Sequence, residues 1–171
     1  MKPLKSILYQ YVFLISTVIL IIVFGHVFIQ QELNNQDNRT RLINLAGRQR
    51  MLSQRLAKII FQARIEFIED GHITSKNLDS LNNVSRQWRE THFKLLNSNE
   101  HGMAEANSAA AQSLLQTNTP RLERIYNTCQ MVGQNPERKT LLKALSVLNQ
   151  DEGIYLLTAE KIVTAYENEY H

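Results

Sequence analysis

One short stretch carries the residues best suited to ligand chemistry. Residues 43–58 read INLAGRQRMLSQRLAK and combine three arginines and one lysine with the small residues Ala46, Gly47, Ser53 and Ala57. Small residues allow another backbone or a ligand to come close, whereas an arginine is effectively always charged and presents five N–H donors. The combination raises the hypothesis of a helix that packs against a neighbouring helix and binds an anion.

On a helix, the residues of this stretch fall on two faces. One face is leucine-rich and is expected to pack inside the chain's own bundle; it contains Leu42, Leu45, Leu52, Leu56, Ile59 and Ala63. The other face, which we call the small-residue seam, contains Ile43, Ala46, Gly47, Arg50, Ser53, Gln54, Ala57, Ile60 and Phe61. Because one bundle core needs only one face, we expect the seam, with Ile43, Ala46 and Ala57, to meet a second copy in a homodimer.

Arg50 lies in the middle of the small-residue seam. A two-fold axis there would bring Arg50 beside its symmetry mate, and the like charges would repel unless an anion bound between them. Two planar guanidinium groups suit a small oxyanion, with Gly47 giving close access and Ser53 or Gln54 adding hydrogen bonds. Such an anion would favour one arrangement of the two helices, as a two-state switch requires.

The simpler alternative is that Arg50 is an ordinary solvated or paired arginine, and periodicity alone favours this interpretation. The candidate partners are Glu152 and Glu160 of the last helix, or Glu66 and Glu69 of a neighbouring chain.

The same stretch closely matches the pattern N-x-A-G-x-x-R-M-x-S-Q-R from Asn44 to Arg55. In this it resembles the PilJ/NarX-like sensor family, the periplasmic input domains of pilus chemotaxis transducers and nitrate/nitrite sensor kinases. The later segment WRETHFKLL, with Trp88, His92 and Leu95, resembles part of the second helix of these domains.

The resemblance implies a sensor whose anion is bound across the dimer axis by the arginine of the R-M pair, here Arg50, in a pocket lined by Gly47. The segments GRQRM and SQR resemble the pilus-transducer branch of the family more closely than the nitrate-sensing kinases. Nitrate, nitrite, a different ligand and no ligand therefore all stay open.

A membrane anchor is predicted ahead of this stretch. Residues 7–29 contain no Asp, Glu, Lys or Arg, and a helix of that length spans the roughly 30 Å hydrocarbon layer of a bilayer. Lys2 and Lys5 precede the run, whereas Glu32 and Asp37 are the first charges after it. This asymmetry favours a cytoplasmic N-terminus. A cleaved signal peptide is the rival, but the run is too long and lacks a small-x-small cleavage site.

We therefore expect residues 1–6 in the cytoplasm, residues 7–29 in the bacterial inner membrane and residues 30–171 as a periplasmic sensor bundle. The predicted fold is all-α: an N-terminal transmembrane helix that continues into an up-down-up-down four-helix bundle. Scarce glycine and proline and the three-and-four spacing of apolar residues support this.

Helix boundaries follow from capping residues. The first bundle helix is expected to end at Gly71, and the second to begin at Thr74 or Ser75. The third is expected to begin with Thr119 as N-cap and Pro120 at its first position. The stretch before it, MAEANSAAAQSLLQTN, is ambiguous and is expected to be a loop, with a short helix within it as the alternative. The fourth follows Asn135-Pro136, with its apolar stripe broken at Glu152 and the helix kinked or interrupted at Gly153.

Several function classes are not supported. A dispersed net charge of +3 does not favour nucleic acid. The single cysteine, Cys129, makes an intrachain disulfide impossible, and His72, His92 and His101 lack metal-ligand spacing. His92 is expected to be a half-buried packing residue. No catalytic motif is found, so we expect neither an enzyme nor a cofactor.

Two functions stay open. The first is an anchored ligand sensor of the histidine-kinase or chemotaxis-transducer type, with its output module absent from this chain. Such a chain is either a truncated receptor or a single-span sensor whose output lies in another protein, and both alternatives stay open. The second is a non-sensing helical module that dimerises or docks a periplasmic partner. The two differ over Arg50, because only the sensor requires an anion there.

Overall fold

The computed structural model describes residues 2–98 and 108–168. Within these residues the chain forms four α-helices: α1 (Lys2–Asp70), α2 (Ser75–Leu96), α3 (Ala109–Gln134) and α4 (Arg138–Asn168). No described residue belongs to a strand. The predicted all-α class, with an apolar N-terminal helix followed by a helical bundle, is therefore confirmed. The chain divides into two compact units, residues 1–38 and 39–171.

The first unit contains a helical segment, Tyr9–Leu33, that is long and apolar enough to cross a membrane. It has 25 residues and a mean hydropathy of 2.8, and none of its hydrophobic window is buried by other parts of the protein. Large side chains such as Phe13 and Phe24 are 75% and 67% exposed. A segment with this composition is consistent with a membrane-anchored protein, because lipid would cover the apolar side chains.

The second unit is an antiparallel bundle, as pairs of contacting residues show. Gln49 reaches Trp88, whereas Glu66, further along α1, reaches Asn77, nearer the start of α2. Between α2 and α3, the pairs Arg89–Glu123 and Ser85–Gln130 show the same antiparallel order. Asn118–Tyr155 and Arg124–Asp151 do so between α3 and α4. Each helix thus runs opposite to the one before it, as in an up-down-up-down four-helix bundle.

The core of the bundle forms two clusters of buried apolar residues. The larger cluster includes Leu52, Leu56, Trp88, Leu122, Cys129, Leu148 and Tyr155. The smaller consists of Leu42, Ala46, Leu95, Ala111, Leu115, Ile162 and Tyr166. On α1, α2 and α3, the buried polar residues Gln49, His92 and Asn118 fall between the members of the two clusters. We call these three residues, with Tyr155 and Thr119, the polar layer.

The corner between α1 and α2 is closed by caps that were predicted. Gly71 has φ 72°, the left-handed conformation that favours glycine after a helix. The Thr74 side chain caps α2 by accepting from the Asn77 N–H. Glu66 of α1 accepts hydrogen bonds from the Thr74 N–H at 3.0 Å and from Asn77 Nδ2 at 2.6 Å. These bonds lower the pKa of Glu66.

The predicted start of the third helix is wrong. The α3 helix begins at Ala109, capped by the Ser108 hydroxyl, and Pro120 lies inside it. Thr119 donates to the Leu115 carbonyl instead of capping. An alanine-rich first turn has high helix propensity, and burial of Ala111, Leu115 and Leu122 on one face outweighs the hydrogen bond that Pro120 cannot make. Part of the expected loop falls on residues 99–107, outside the described residues.

The last helix runs without interruption through Gly153. Its predicted stripe is buried, and comprises Leu141, Leu145, Leu148, Tyr155, Ala159, Ile162 and Tyr166. The polar position in this stripe is Asp151, which is 7% exposed, and not Glu152. Arg124 of α3 pairs with Asp151, so a charge is accommodated in the stripe without breaking the helix.

Candidate functional site

Arg50 lies on the surface of α1 and faces α4. Its Nη1 atom is 3.5 Å from Oε1 of Glu160, and the two side chains are 51% and 59% exposed. Pairing with Glu160 is one of the alternatives that the sequence left open. A single long contact between two exposed side chains contributes little to stability, because water and salt screen it. The guanidinium therefore keeps most of its donors available.

An open groove of about 510 Å³ runs between α1 and α4 beside this pair. Its α1 side carries Arg50 and Gln54, and its α4 side carries Glu160 with Gln150, Ile154 and Leu157. Ile154 and Leu157 are 47% and 62% exposed, so the groove combines a charged end with an apolar wall. Mixed surfaces of this kind suit small molecules with one polar and one apolar part.

Gly47 lies one turn before Arg50 and is exposed. A Cβ added there would have no neighbouring atom within 4 Å. Glycine inside a helix costs about 1 kcal/mol relative to alanine. Within the part of the chain that the structure describes, no packing contact accounts for that cost.

Ser53 is placed differently from expectation. It is 3% exposed, and its hydroxyl donates to the Arg50 carbonyl at 3.0 Å. The hydroxyl is therefore used within α1 and is not presented to the groove. Of the four residues expected to bind a ligand, Arg50 and Gln54 line the groove, Gly47 is exposed nearby, and Ser53 is turned inwards.

The small-residue seam is also divided. Ala46 and Ala57 are 2% and 7% exposed and belong to the core of their own bundle, as does Ile60. Ile43 packs against the smaller cluster. The reason is that α1 contacts both α2 and α4, through bonds from Gln49 to Trp88 and from Tyr155 to Gln49, so its buried face is wide enough to take in both stripes.

A different face of α1 is left uncovered. Its residues follow the alternating four-and-three spacing of a coiled-coil seam, and we call it the outer stripe: Gly47, Met51, Gln54, Lys58, Phe61, Ile65 and Ile68. Met51, Phe61, Ile65 and Ile68 are between 44% and 70% exposed. Of these residues, only Gly47, Gln54 and Phe61 were predicted from the sequence to lie at an interface. Their heptad spacing is the signal that would have revealed them.

Gln49 forms hydrogen bonds to two other helices in the core, a role that was not predicted from the sequence. Its Nε2 donates to the Trp88 carbonyl at 2.7 Å, and its Oε1 accepts from the Tyr155 hydroxyl at 2.6 Å. Asn118 Nδ2 donates to the Tyr155 carbonyl at 3.2 Å. All four helices thus take part in one set of bonds. Gln49 lies three residues after Ala46 and seven after Leu42, a spacing that places it on the buried face.

His92 is fully buried, more than the half-buried position expected. Its Nε2 is 2.8 Å from Thr119 Oγ1, and burial lowers its pKa to about 4, so the ring is neutral near pH 7. A cavity that has room for one water molecule lies between His92, Gln49 and Tyr155. Among the residues that the structure describes, no group of three or more His, Cys, Asp or Glu is arranged to hold a metal ion.

Burial also accounts for Cys129. The thiol is in the larger cluster, and burial raises its pKa to about 12. A thiol of this kind is a packing group and not a nucleophile.

Comparison with known protein families matches most of the bundle's sequence to one family. Residues 32–148 match the family described as the type IV pili methyl-accepting chemotaxis transducer N-terminal domain, PilJ. No curated protein matches the chain, and no solved structure matches it. The matched residues cover more than half of the chain and include Arg50, Gly47 and the polar layer up to Thr119. The chain therefore belongs to the PilJ family of chemotaxis-transducer N-terminal domains.

Proposed function

We propose that the bundle is the ligand-sensing region of a membrane-anchored chemotaxis receptor, and that it detects a small anionic group at Arg50. Membership of the PilJ family supports a sensor role. The observation that carries the anion site is the exposed pair Gly47 and Arg50, because glycine is not needed there for packing and the guanidinium is only loosely paired.

The proposed location is the bacterial inner membrane, with the N-terminus in the cytoplasm and the bundle in the periplasm. The apolar segment Tyr9–Leu33 supports a single anchor. Lys2 and Lys5 before it, and Glu32 and Asp37 as the first charges after it, support this orientation.

The proposed assembly is a homodimer that forms along the outer stripe. Exposed apolar residues at coiled-coil spacing form a surface that a second helix would cover. In such a pairing Met51, Phe61 and Ile65 would form the contact, while Arg50 would flank it. The buried Ala46 and Ala57 take no part in this version of the dimer.

The test is ligand-dependent stability of the full chain in lipid nanodiscs. Nitrate, nitrite, acetate and a chloride control would be compared at one ionic strength, with thermal unfolding followed by circular dichroism. We expect at least one oxyanion to raise the melting temperature, and Arg50→Ala to abolish the shift. Arg55→Ala is the matched control, because Arg55 is an exposed arginine on the same helix that does not line the groove.

A docking module is the second candidate, and the outer stripe favours it. In that case no anion would change the melting temperature of the wild-type chain. Charged substitutions at Phe61 and Ile65, both exposed, would abolish association with the partner. An anion response that Arg50→Ala removes would decide against this candidate.

A further inference from the structure

The groove beside Arg50 carries a carboxylate as well as a guanidinium, and the two opposite charges limit which ligands it can bind. Glu160 lies on α4, and its Oε1 atom is 3.5 Å from Arg50 Nη1. A bare anion that bound to Arg50 would lie next to the Glu160 carboxylate, and the two negative charges would repel. A ligand that brings its own positive charge would avoid this repulsion.

We infer that the groove takes a small zwitterion with an apolar side chain, such as a free aliphatic α-amino acid. The inference rests on the proposed ligand-sensing function and narrows its ligand class. The ligand carboxylate would bind Arg50 and the ligand ammonium would bind Glu160. In an α-amino acid one carbon separates these groups, which suits two protein charges that are already adjacent.

The remaining walls of the groove fit the rest of such a molecule. Ile154 and Leu157 are exposed apolar residues on the α4 side and would contact the ligand side chain. The amides of Gln54 and Gln150 line the same groove and can donate to a carboxylate or accept from an ammonium. The Arg50–Glu160 pair is exposed, so opening it to admit a ligand costs little.

Matched probes separate the two charges. The full chain in nanodiscs would be titrated with L-leucine, with N-acetyl-L-leucine, which lacks the ammonium, with L-leucinamide, which lacks the carboxylate, and with nitrate. Affinity would be read from the shift of the melting temperature at fixed ionic strength and pH 7. We expect leucine to bind at least tenfold more tightly than each of the other three probes.

Substitutions assign the charges to residues. We expect Arg50→Ala to abolish leucine binding. Glu160→Gln should weaken leucine binding at least tenfold and bring N-acetyl-leucine up to a comparable affinity, because the repulsion is removed. Glu167→Gln is the control: Glu167 is an exposed carboxylate on the same helix and does not line the groove. All of these side chains are exposed, so each variant is expected to fold.

The outcomes are distinguishable. If nitrate or N-acetyl-leucine binds the wild-type chain as tightly as leucine does, and Arg50→Ala removes that binding, the zwitterion inference is wrong while anion sensing at Arg50 stands. If no probe shifts the melting temperature of a cooperatively folded wild-type chain, both the inference and the proposed anion site are wrong. A leucine response unaffected by Glu160→Gln also overturns the inference.

Discussion

Arg124 and Asp151 form a two-point contact between α3 and α4. Arg124 Nε lies 2.8 Å from Asp151 Oδ2, and its Nη2 lies 2.8 Å from Oδ1. Asp151 is 7% exposed, so its carboxylate depends on this arginine for compensation. The hydrogen bonds from Arg124 are the main reason that the pKa of Asp151 is lowered.

The first prediction concerns this pair. Asp151→Asn should lower the free energy of unfolding by about 1–3 kcal/mol, because a charge-assisted pair is lost at a buried position. Glu160→Gln, at the exposed pair with Arg50, should change it by less than about 0.5 kcal/mol. Urea unfolding at pH 7 measures both. Equal effects of the two substitutions would contradict the assignment of Asp151 as a buried partner.

The sign of the pH dependence of this pair also follows. The pKa of Asp151 is lower in the folded chain than in the unfolded chain, so its stabilising contribution is complete above the unfolded pKa. It is lost as the pH falls through the folded pKa. Asp151→Asn should therefore cost less stability in strong acid than at pH 7.

A second prediction concerns the bond from Tyr155 to Gln49. Gln49→Leu leaves the buried Tyr155 hydroxyl without its acceptor and should cost about 1–3 kcal/mol. The double variant Gln49→Leu/Tyr155→Phe removes both polar groups, and its cost should be smaller than the sum of the two single costs. A double-mutant cycle by urea unfolding measures the coupling. Strict additivity would mean that the two groups do not interact.

A third prediction concerns acid and His92. The ring is buried, and desolvation lowers its pKa from 6.5 to about 4. Below pH 6.5 this histidine is protonated in the unfolded chain but stays neutral in the folded chain. The free energy of unfolding should therefore fall by as much as about 1.4 kcal/mol per pH unit until pH 4. The stability that depends on a neutral His92 ring is fully present at neutral pH and is lost on acidification.

The measurement is the difference in pH slope between the wild-type chain and His92→Leu over the range from pH 6.5 to about 4. Leucine does not titrate, so the variant should lose this part of the slope even if its stability at pH 7 is lower. His72→Gln is the control, because His72 is exposed. A slope unchanged by His92→Leu would show that the ring is not held neutral.

A fourth prediction pairs two glycines within helices. A Cβ at Gly133 would lie 3.1 Å from Asn82 Cγ and closer still to the carboxamide oxygen, so Gly133→Ala should destabilise the contact between α2 and α3 unless Asn82 turns away. A Cβ at Gly153 meets nothing within 4 Å, so Gly153→Ala should raise stability by up to about 1 kcal/mol through helix propensity. Thermal unfolding of both variants tests the contrast, and a stabilised Gly133→Ala together with a destabilised Gly153→Ala would reverse it.

Much of the fold was predictable from local sequence signals. Gly71 and Thr74 act where their conformational and capping preferences place them, and the α4 stripe from Leu141 to Tyr166 follows helical spacing. The start of α3 was not predictable in this way. Pro120 is a strong local signal for a helix start, and only the tertiary burial of Ala111 and Leu115 overrides it.

The site was predictable in its chemistry but not in its surroundings. Arg50 could be selected because a charge in a small-residue helix face is unusual. Its pairing with Glu160 depends on how α1 and α4 are aligned, and four candidate carboxylates fitted the sequence equally well. Ala46, Ser53 and Ala57 were placed on an outer surface because one helix viewed alone shows no second neighbour.

The bond between Tyr155 and Gln49 limits how the first and last bundle helices can slide past each other. A hydrocarbon core tolerates small axial shifts, but a shift of one helical turn, about 5.4 Å, would separate these two groups completely. A displacement of α4 by one turn along its axis must therefore either carry α1 with it or break this bond first. The bond in this way opposes slippage of one helix along the other.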